Sequence, residues 1–350
     1  MEPKMKKTEE LLEILRKELK DGRYPPGSKF PSEQKLMTRF KAARTTINKI
    51  TEQLVSEGFI ERGVQGSGTR VRDIAPFPGG ELAYLGTIGS PYYARILHGI
   101  QLAAFQKNYA VSFFSPPRLL INFCLDKIAR SKYQGLLVAN IGLIPESFPI
   151  PVVYVDNGFE NHPPNHASVT CTNYKGAADM AEAVLAHGHR EILICSNYAC
   201  TEEGRGCRVR GFRDTLLRHG LRDADLRVFH EPLIDASSAN FLLRKMLKQF
   251  PDTTVVLSDS DGVASRLFQA MQGMDLPRRI TVTGFGNLSH SGGLLKIPGV
   301  EQHPDEIGIQ SVNELFRLIA EPGSVSPGMI EIETELVNLD RLPYLSPGSA

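Results

Sequence analysis

The chain has 350 residues, 41% of them hydrophobic and 23% charged, with a formal net charge of +1. That length allows two or three domains with real cores, and the fractions are those of a soluble globular protein. No apolar run approaches the ~18 residues of a membrane span, and the opening MEPKMKKTEE lacks the apolar core of a secretory signal. Five cysteines without a framework pattern read as reduced thiols, so a cytoplasmic protein with no membrane partner is expected.

The small net charge hides an asymmetry. Residues 1–72 hold 16 Lys and Arg against 10 Asp and Glu, a net +6, and the remaining 24 against 29 give −5. A basic head on an acidic body directs polyanion binding to the head.

Residues 8–21 spell an amphipathic helix with Leu11, Leu12, Leu15 and Leu19 on one side. A Pro-Pro-Gly turn then leads to a short helix capped by Ser32, with Glu33 in its first turn and Leu36 and Phe40 on one face. After a break at Lys41-Ala42, a second helix over 43–56 turns Ile47, Ile50 and Leu54 inward and stops at Gly58. Two short helices on a tight turn predict a helix-turn-helix. The outward side of the second carries Arg44, Thr45, Thr46, Asn48 and Lys49, a guanidinium fork and hydroxyls at the end that enters the major groove in such motifs. Residues 59–62 and 69–72 read as two strands around the tip Gly63-Val64-Gln65-Gly66-Ser67-Gly68. A nucleotide loop would follow a buried strand and open a helix, so this tip is a wing rather than a phosphate cradle.

These blocks, PPG, F-P-S-E, A-R-T-T-I, L-x-x-E-G-x-I-x-R and G-x-G-T, resemble the winged-helix domain of the GntR family of bacterial transcription regulators. The resemblance implies major-groove contacts at Gln34, Ala43, Arg44, Thr45, Thr46 and Asn48, and wing contacts at Gln65 and Gly66. Ala43 departs from the Ser or Thr common there, which removes one contact.

Residues 73–81, with two prolines and two glycines, read as a linker. Beyond it, strands at 83–86, 110–113, 135–138 and 152–155 alternate with helices at 94–107 and 121–131. After a break near 157–170 the alternation restarts, with strands at 191–195, 227–230, 254–257 and 280–283 and helices between them. This α/β pattern predicts two lobes with parallel sheets over 82–340, a ligand cleft beyond the strand C-termini, and a C-terminal tail at 341–350.

S-P-Y-Y-A-x-x-L-H-G-I-Q-x-A-A, I-P-V-V-Y-V-D-N, R-V-R-G-F-R-D, V-T-G-F and P-G-V-x-Q-x-P-x-E-I-G resemble the effector domain of LacI/GalR repressors, a two-lobed, periplasmic-binding-protein-like fold. A GntR-type head on such a body is the architecture of arabinose-type repressors. The resemblance places six residues at the effector: Tyr93, Asp156, Arg208, Ser260, Asp261 and Asn287. Four of them have a plainer role open to them. Tyr93 also suits core packing, Asp156 an interlobe crossing, Arg208 an ion pair or helix cap, and Asp261 the cap of the next helix. Ser260 stands where the family has Asn, and Gly286-Asn287 where it has two Asp, the first of which accepts bonds from sugar hydroxyls. The pocket is retained with altered chemistry.

His187, His189 and the cysteines match no usual zinc spacing, and no catalytic set stands out, so neither metal, cofactor nor enzyme activity is expected. The function expected is a homodimeric repressor that binds a double-stranded DNA operator and is controlled by a small metabolite, a sugar or related polar compound, between the lobes. The alternatives are a DNA-binding dimer whose lobes bind no small molecule, and an enzyme with an appended DNA-binding domain.

Overall fold

The computed structural model describes residues 7–63, 68–72, 77–158, 163–197, 205–222, 227–230, 236–276, 278–287, 296–323 and 329–345. The chain divides into two units, Met1–Gly79 and Gly80–Ala350.

In the first unit, α1 (Lys7–Lys20), α2 (Glu33–Phe40) and α3 (Arg44–Ser56) precede an antiparallel hairpin of β1 (Ile60–Arg62) and β2 (Thr69–Val71). Ser32 caps α2, accepting from the Lys35 amide at 3.4 Å. The turn between α2 and α3 is made by Lys41 at φ +48°, and α3 ends at Gly58 with φ +79°. The periodic apolar residues meet in one core: Leu15 and Leu19 of α1, Leu36 of α2, Ile47, Ile50 and Leu54 of α3, and Ile60 and Val71 of the hairpin. A polar tie adds to it. Glu18 accepts from Arg39 at 2.8 Å and from Tyr24 at 3.2 Å, and the Arg39 bond holds its carboxyl below the usual range.

The second unit is two parallel sheets flanked by helices. Its chain order begins β3 (Gly80–Gly86), α4 (Pro91–Gln106), β4 (Tyr109–Phe114), α5 (Ile121–Ala129), β5 (Leu136–Ala139), β6 (Val152–Val155) and β7 (His166–Cys171). It continues with α6 (Asn173–Ala186), β8 (Ile192–Ser196), α7 (Arg205–Arg218), β9 (Val228–His230), α8 (Ala236–Gln249), β10 (Val255–Ser258), α9 (Asp261–Gln272), β11 (Thr281–Phe285) and β12 (Gly299–Glu301). The last elements are α10 (Pro304–Ala320), β13 (Met329–Ile332) and β14 (Glu335–Val337). One sheet runs β13-β7-β6-β5-β3-β4 and the other β14-β12-β11-β10-β8-β9, with only the β12–β14 pair antiparallel among the described strands of these two sheets.

Four expectations change. The break predicted near 157–170 contains β7, which is buried on both faces; its alternating His166, Ser168 and Thr170 conceal it from a search for apolar runs. The lobes are not two consecutive runs either, because α10 and β13 return to the first lobe and β14 to the second. The chain passes between lobes after β7, after β12 and after β13. The return is locked where α10 crosses α4: a Cβ on Gly99 would lie 2.0 Å from the Asp305 carbonyl oxygen, and one on Gly308 2.2 Å from that of Ile96. The predicted linker is shortened, since Gly80 and Glu81 already belong to β3. The predicted tail docks at its start: Leu342 is buried, the Leu345 amide donates to His187 at 2.9 Å, and Tyr344 stacks on the His187 ring at 4.0 Å.

Candidate functional site

The head presents a polar ridge on an apolar floor. Ile47 and Ile50 face the core, which turns Arg44, Thr45 and Lys49 to solvent, with Thr46 and Asn48 half-buried; Gln34 is exposed on α2. Arg44 is 75% exposed and lies 3.6 Å from Glu33. Asn48, with its NH2 turned to the same carboxylate, reaches it at 2.9 Å and 3.0 Å. Glu33 therefore orients two of the expected contact residues at once, at small energetic gain because the Arg44 pair is exposed. Ala43 occupies the N-cap of α3 with no side-chain hydrogen bond, as its methyl dictates. Gln65 and Gly66, the expected wing contacts, lie outside the described residues. Sequence reading missed Lys29, Lys35 and Arg62, which line a groove of about 640 Å³ between the start of α2 and the hairpin. Their signal was the basic excess of the head, which names no individual residue.

The second unit encloses a cavity of about 530 Å³ beyond the C-terminal ends of strands from both lobes. From the first lobe, Ser90 caps α4 by accepting from the Tyr93 amide at 3.2 Å, which sets Tyr92 and Tyr93 on the first turn. Asp156 directly follows β6 at φ +56°, and its carboxylate accepts from the Tyr92 hydroxyl at 3.0 Å and the Tyr93 hydroxyl at 3.4 Å. Gln302, where the chain leaves β12, donates to the Tyr92 oxygen at 3.0 Å. Burial, then the charge of Asp156, pushes the Tyr92 phenol well above its usual range, so it remains a donor.

From the second lobe, Arg208 on α7 is 5% exposed. Its Nε donates to Asn173 Oδ1 at 2.6 Å, its Nη1 to the Asp259 carbonyl at 2.9 Å, and its face covers the Phe285 ring at 4.1 Å. Arg208 thus lines the cavity and also binds α6, α7 and the end of β10 together. Ser260, not Asp261, caps α9, accepting from the Val263 amide at 3.4 Å. Asp261 instead faces the cavity and accepts from the Phe285 backbone, and burial raises its carboxyl to about 7 against the opposing pull of Arg208 and that bond.

Five of the six expected effector residues, Tyr93, Asp156, Arg208, Ser260 and Asp261, line this one cavity. Asn287 does not. It is buried at φ +57° and donates to Glu301 at 2.6 Å, inside a cluster in which Arg95 of α4 meets Glu301 at 3.2 Å and Asp305 at 2.8 Å. The expectation fails because the amide is satisfied away from the cavity. Tyr92 and Gln302 were missed, although both lie inside quoted motifs; nothing in their identity separates them from core neighbours. Among the described residues no helix is long and apolar enough to cross a membrane, and no group of three or more His, Cys, Asp or Glu could hold a metal. His189 instead bonds Thr254 and the Pro343 carbonyl, each at 2.9 Å.

Both units match known protein families. Residues 84–337 match the family of periplasmic binding proteins and sugar-binding domains of the LacI family. The chain belongs to that family. Residues 7–71 match the bacterial regulatory proteins of the gntR family. The HTH-type transcriptional repressor PurR of Histophilus somni is 25% identical over 268 residues, 72% of this chain and 78% of that protein. The arabinose metabolism transcriptional repressor of Halalkalibacterium halodurans is 22% identical over 334 residues, 87% of each chain. Among solved structures, a LacI family regulator from Enterococcus faecium with bound ribose shares the fold at a TM-score of 0.63 and 15% identity, covering 76% of this chain and all of that one. This LacI-family member thus carries, over residues 7–71, a head that matches the gntR family.

Proposed function

We propose that the protein is a cytoplasmic, homodimeric transcriptional repressor that reads a two-fold DNA operator with α3 and is released from it, or fastened to it, by a small polar metabolite held between the lobes. The observation that carries this reading is the union in one chain of two features. One is a winged helix whose α3 projects Arg44, Thr45 and Lys49, and the other is a second unit that gathers five polar effector candidates around one cavity. The relatives named as repressors, one of them for arabinose metabolism and one PurR, support the assignment of role.

In this account Arg44 forks onto a guanine edge, Thr45, Thr46 and Gln34 complete the readout, and Lys49 and the wing residues Gln65 and Gly66 meet the backbone. Ala43 supplies no cap, so first-turn amides of α3 are open to a DNA phosphate. A single head reads too few base pairs for useful specificity, which is the reason for a dimer. Ligand control follows if the metabolite favours one lobe arrangement, by no more than its differential affinity for the two.

A metabolite panel tests this directly, with melting temperature and operator occupancy read on the same full-length protein. One compound is expected to raise the melting temperature and change occupancy together. The inward commitments of Arg208 favour a second reading, lobes that serve only as a dimer platform, and no response in either measurement would select it. No turnover of a bound compound is expected, since the described cavity residues include no paired nucleophile and base.

A further inference from the structure

Asp261 sits at the first position of α9 without serving as its cap, and two glycines from another element make room for it. A Cβ on Gly284 would lie 2.4 Å from Asp261 Oδ1, and one on Gly286, at φ +137°, 2.8 Å from Oδ2. Side chains at either position would expel the carboxylate, so β11 and the residue after it form a cradle of the carboxylate's own shape. The groups acting on it are Arg208 from α7, Glu301 from β12 with its partner Arg95 of α4, and a backbone hydrogen bond from Phe285, while Arg266 of the same helix and Asp156 line the same cavity. Arg208 does not neutralise it by direct pairing, because two of its nitrogens are bonded to Asn173 and Asp259 and its face lies on Phe285.

Resting on the ligand cleft proposed above, we infer that Asp261 is the ligand-accepting carboxylate of the second lobe, that Gly284 and Gly286 are positioning residues for it, and that the cleft takes its ligand through hydroxyl or amine donors rather than through an anionic group. An anion brought to Asp261 would face that carboxylate with Glu301 behind it, whereas an ionised carboxylate is an acceptor only and requires donors. The raised carboxyl agrees with this: an ionisable group that costs the folded state when charged and does no capping has the character of a binding group rather than a structural one.

The sign of its pH effect is fixed. The folded carboxyl titrates near 7 and the unfolded one near 3.8, so ionisation favours the unfolded chain increasingly as pH rises between those values. Asp261→Asn, which keeps the shape, is therefore expected to melt near the wild-type temperature at pH 4 and to gain about 5 °C over it by pH 8. A difference that stays flat with pH would overturn the buried-acceptor assignment. Seating is tested by a cycle. Gly284→Ala is expected to lower the melting temperature of the full chain, with the loss at least halved when combined with Asp261→Ala; full additivity would overturn the positioning role. Ligand class is tested at pH 8 with neutral sugars and amino sugars against the matched sugar acids. Stabilisation by a neutral or amino compound, weakened about tenfold or more in Asp261→Asn, is expected. Stabilisation by the acids alone would overturn the donor assignment. A silent panel would defeat both that assignment and ligand control by the cleft, while the pH and cycle results, measured on ligand-free protein, would stand or fall by themselves.

Discussion

On α3 the side chains of Arg44, Thr45 and Lys49 project into solvent above a packed apolar floor, whereas in the cleft Tyr93 is bonded to Asp156, and Arg208 to Asn173 and the Asp259 carbonyl. The head keeps the residues that fold it separate from the residues proposed to read DNA. In the cleft the residues proposed to meet the ligand are also residues that hold the fold. An exposed polar side chain can be exchanged at almost no cost to stability, but a buried one that satisfies several partners cannot, because its removal strands them in a low dielectric. The head is therefore open to changes of sequence specificity without refolding, and the cleft is built to exist in few arrangements.

The largest break in this contrast should come at Arg208. Arg208→Ala leaves Asn173 Oδ1 and the Asp259 carbonyl without their donor and uncovers Phe285, so denaturant unfolding of the second unit should lose about 3 kcal/mol. A loss under about 0.5 kcal/mol would remove Arg208 from the framework and return it to ligand binding alone. Next in size, Arg44→Ala should cost about 1–3 kcal/mol on the operator and relax preference at one base pair, with no change in melting temperature. Equal weakening on operator and random DNA would make Arg44 a phosphate contact. Tyr92→Phe should cost about 1 kcal/mol of stability, since it removes one donor from Asp156 and the acceptor of Gln302. Smallest is Lys49→Ala, which should lower the slope of log affinity against log salt by about one while leaving sequence preference intact. A salt slope that does not move would take Lys49 off the backbone.

The sequence disclosed the head almost completely, and the reason is physical. Its helices are short, amphipathic and bounded by strong local signals at Ser32, Lys41 and Gly58, so local chemistry decides them. The second unit disclosed its class but not its path. β7 alternates polar residues that are buried on a sheet covered on both faces, which breaks the expected apolar run. β13 and β14 are short edge strands without strong alternation, and the return of α10 to the first lobe depends on Gly99 and Gly308 meeting across more than 200 residues. The cleft was legible at some of the positions that a motif marked, as at Tyr93 and Ser260, though not at Tyr92 or Gln302. It was not legible where the outcome depends on which neighbour a side chain bonds, as Asn287 shows by turning to Glu301. Gly286 is the instructive position. As a letter it reads as a lost acceptor, and in the fold it is the space into which Asp261 brings one.

Genomic footprinting with the full-length protein tests the central claim most directly, because it needs neither a known operator nor a known ligand. The account predicts protected sites with two-fold symmetry, their half-sites separated by about one helical turn or a multiple of it, occupied by a dimer. Protection of single asymmetric half-sites by a monomer at full affinity would contradict it.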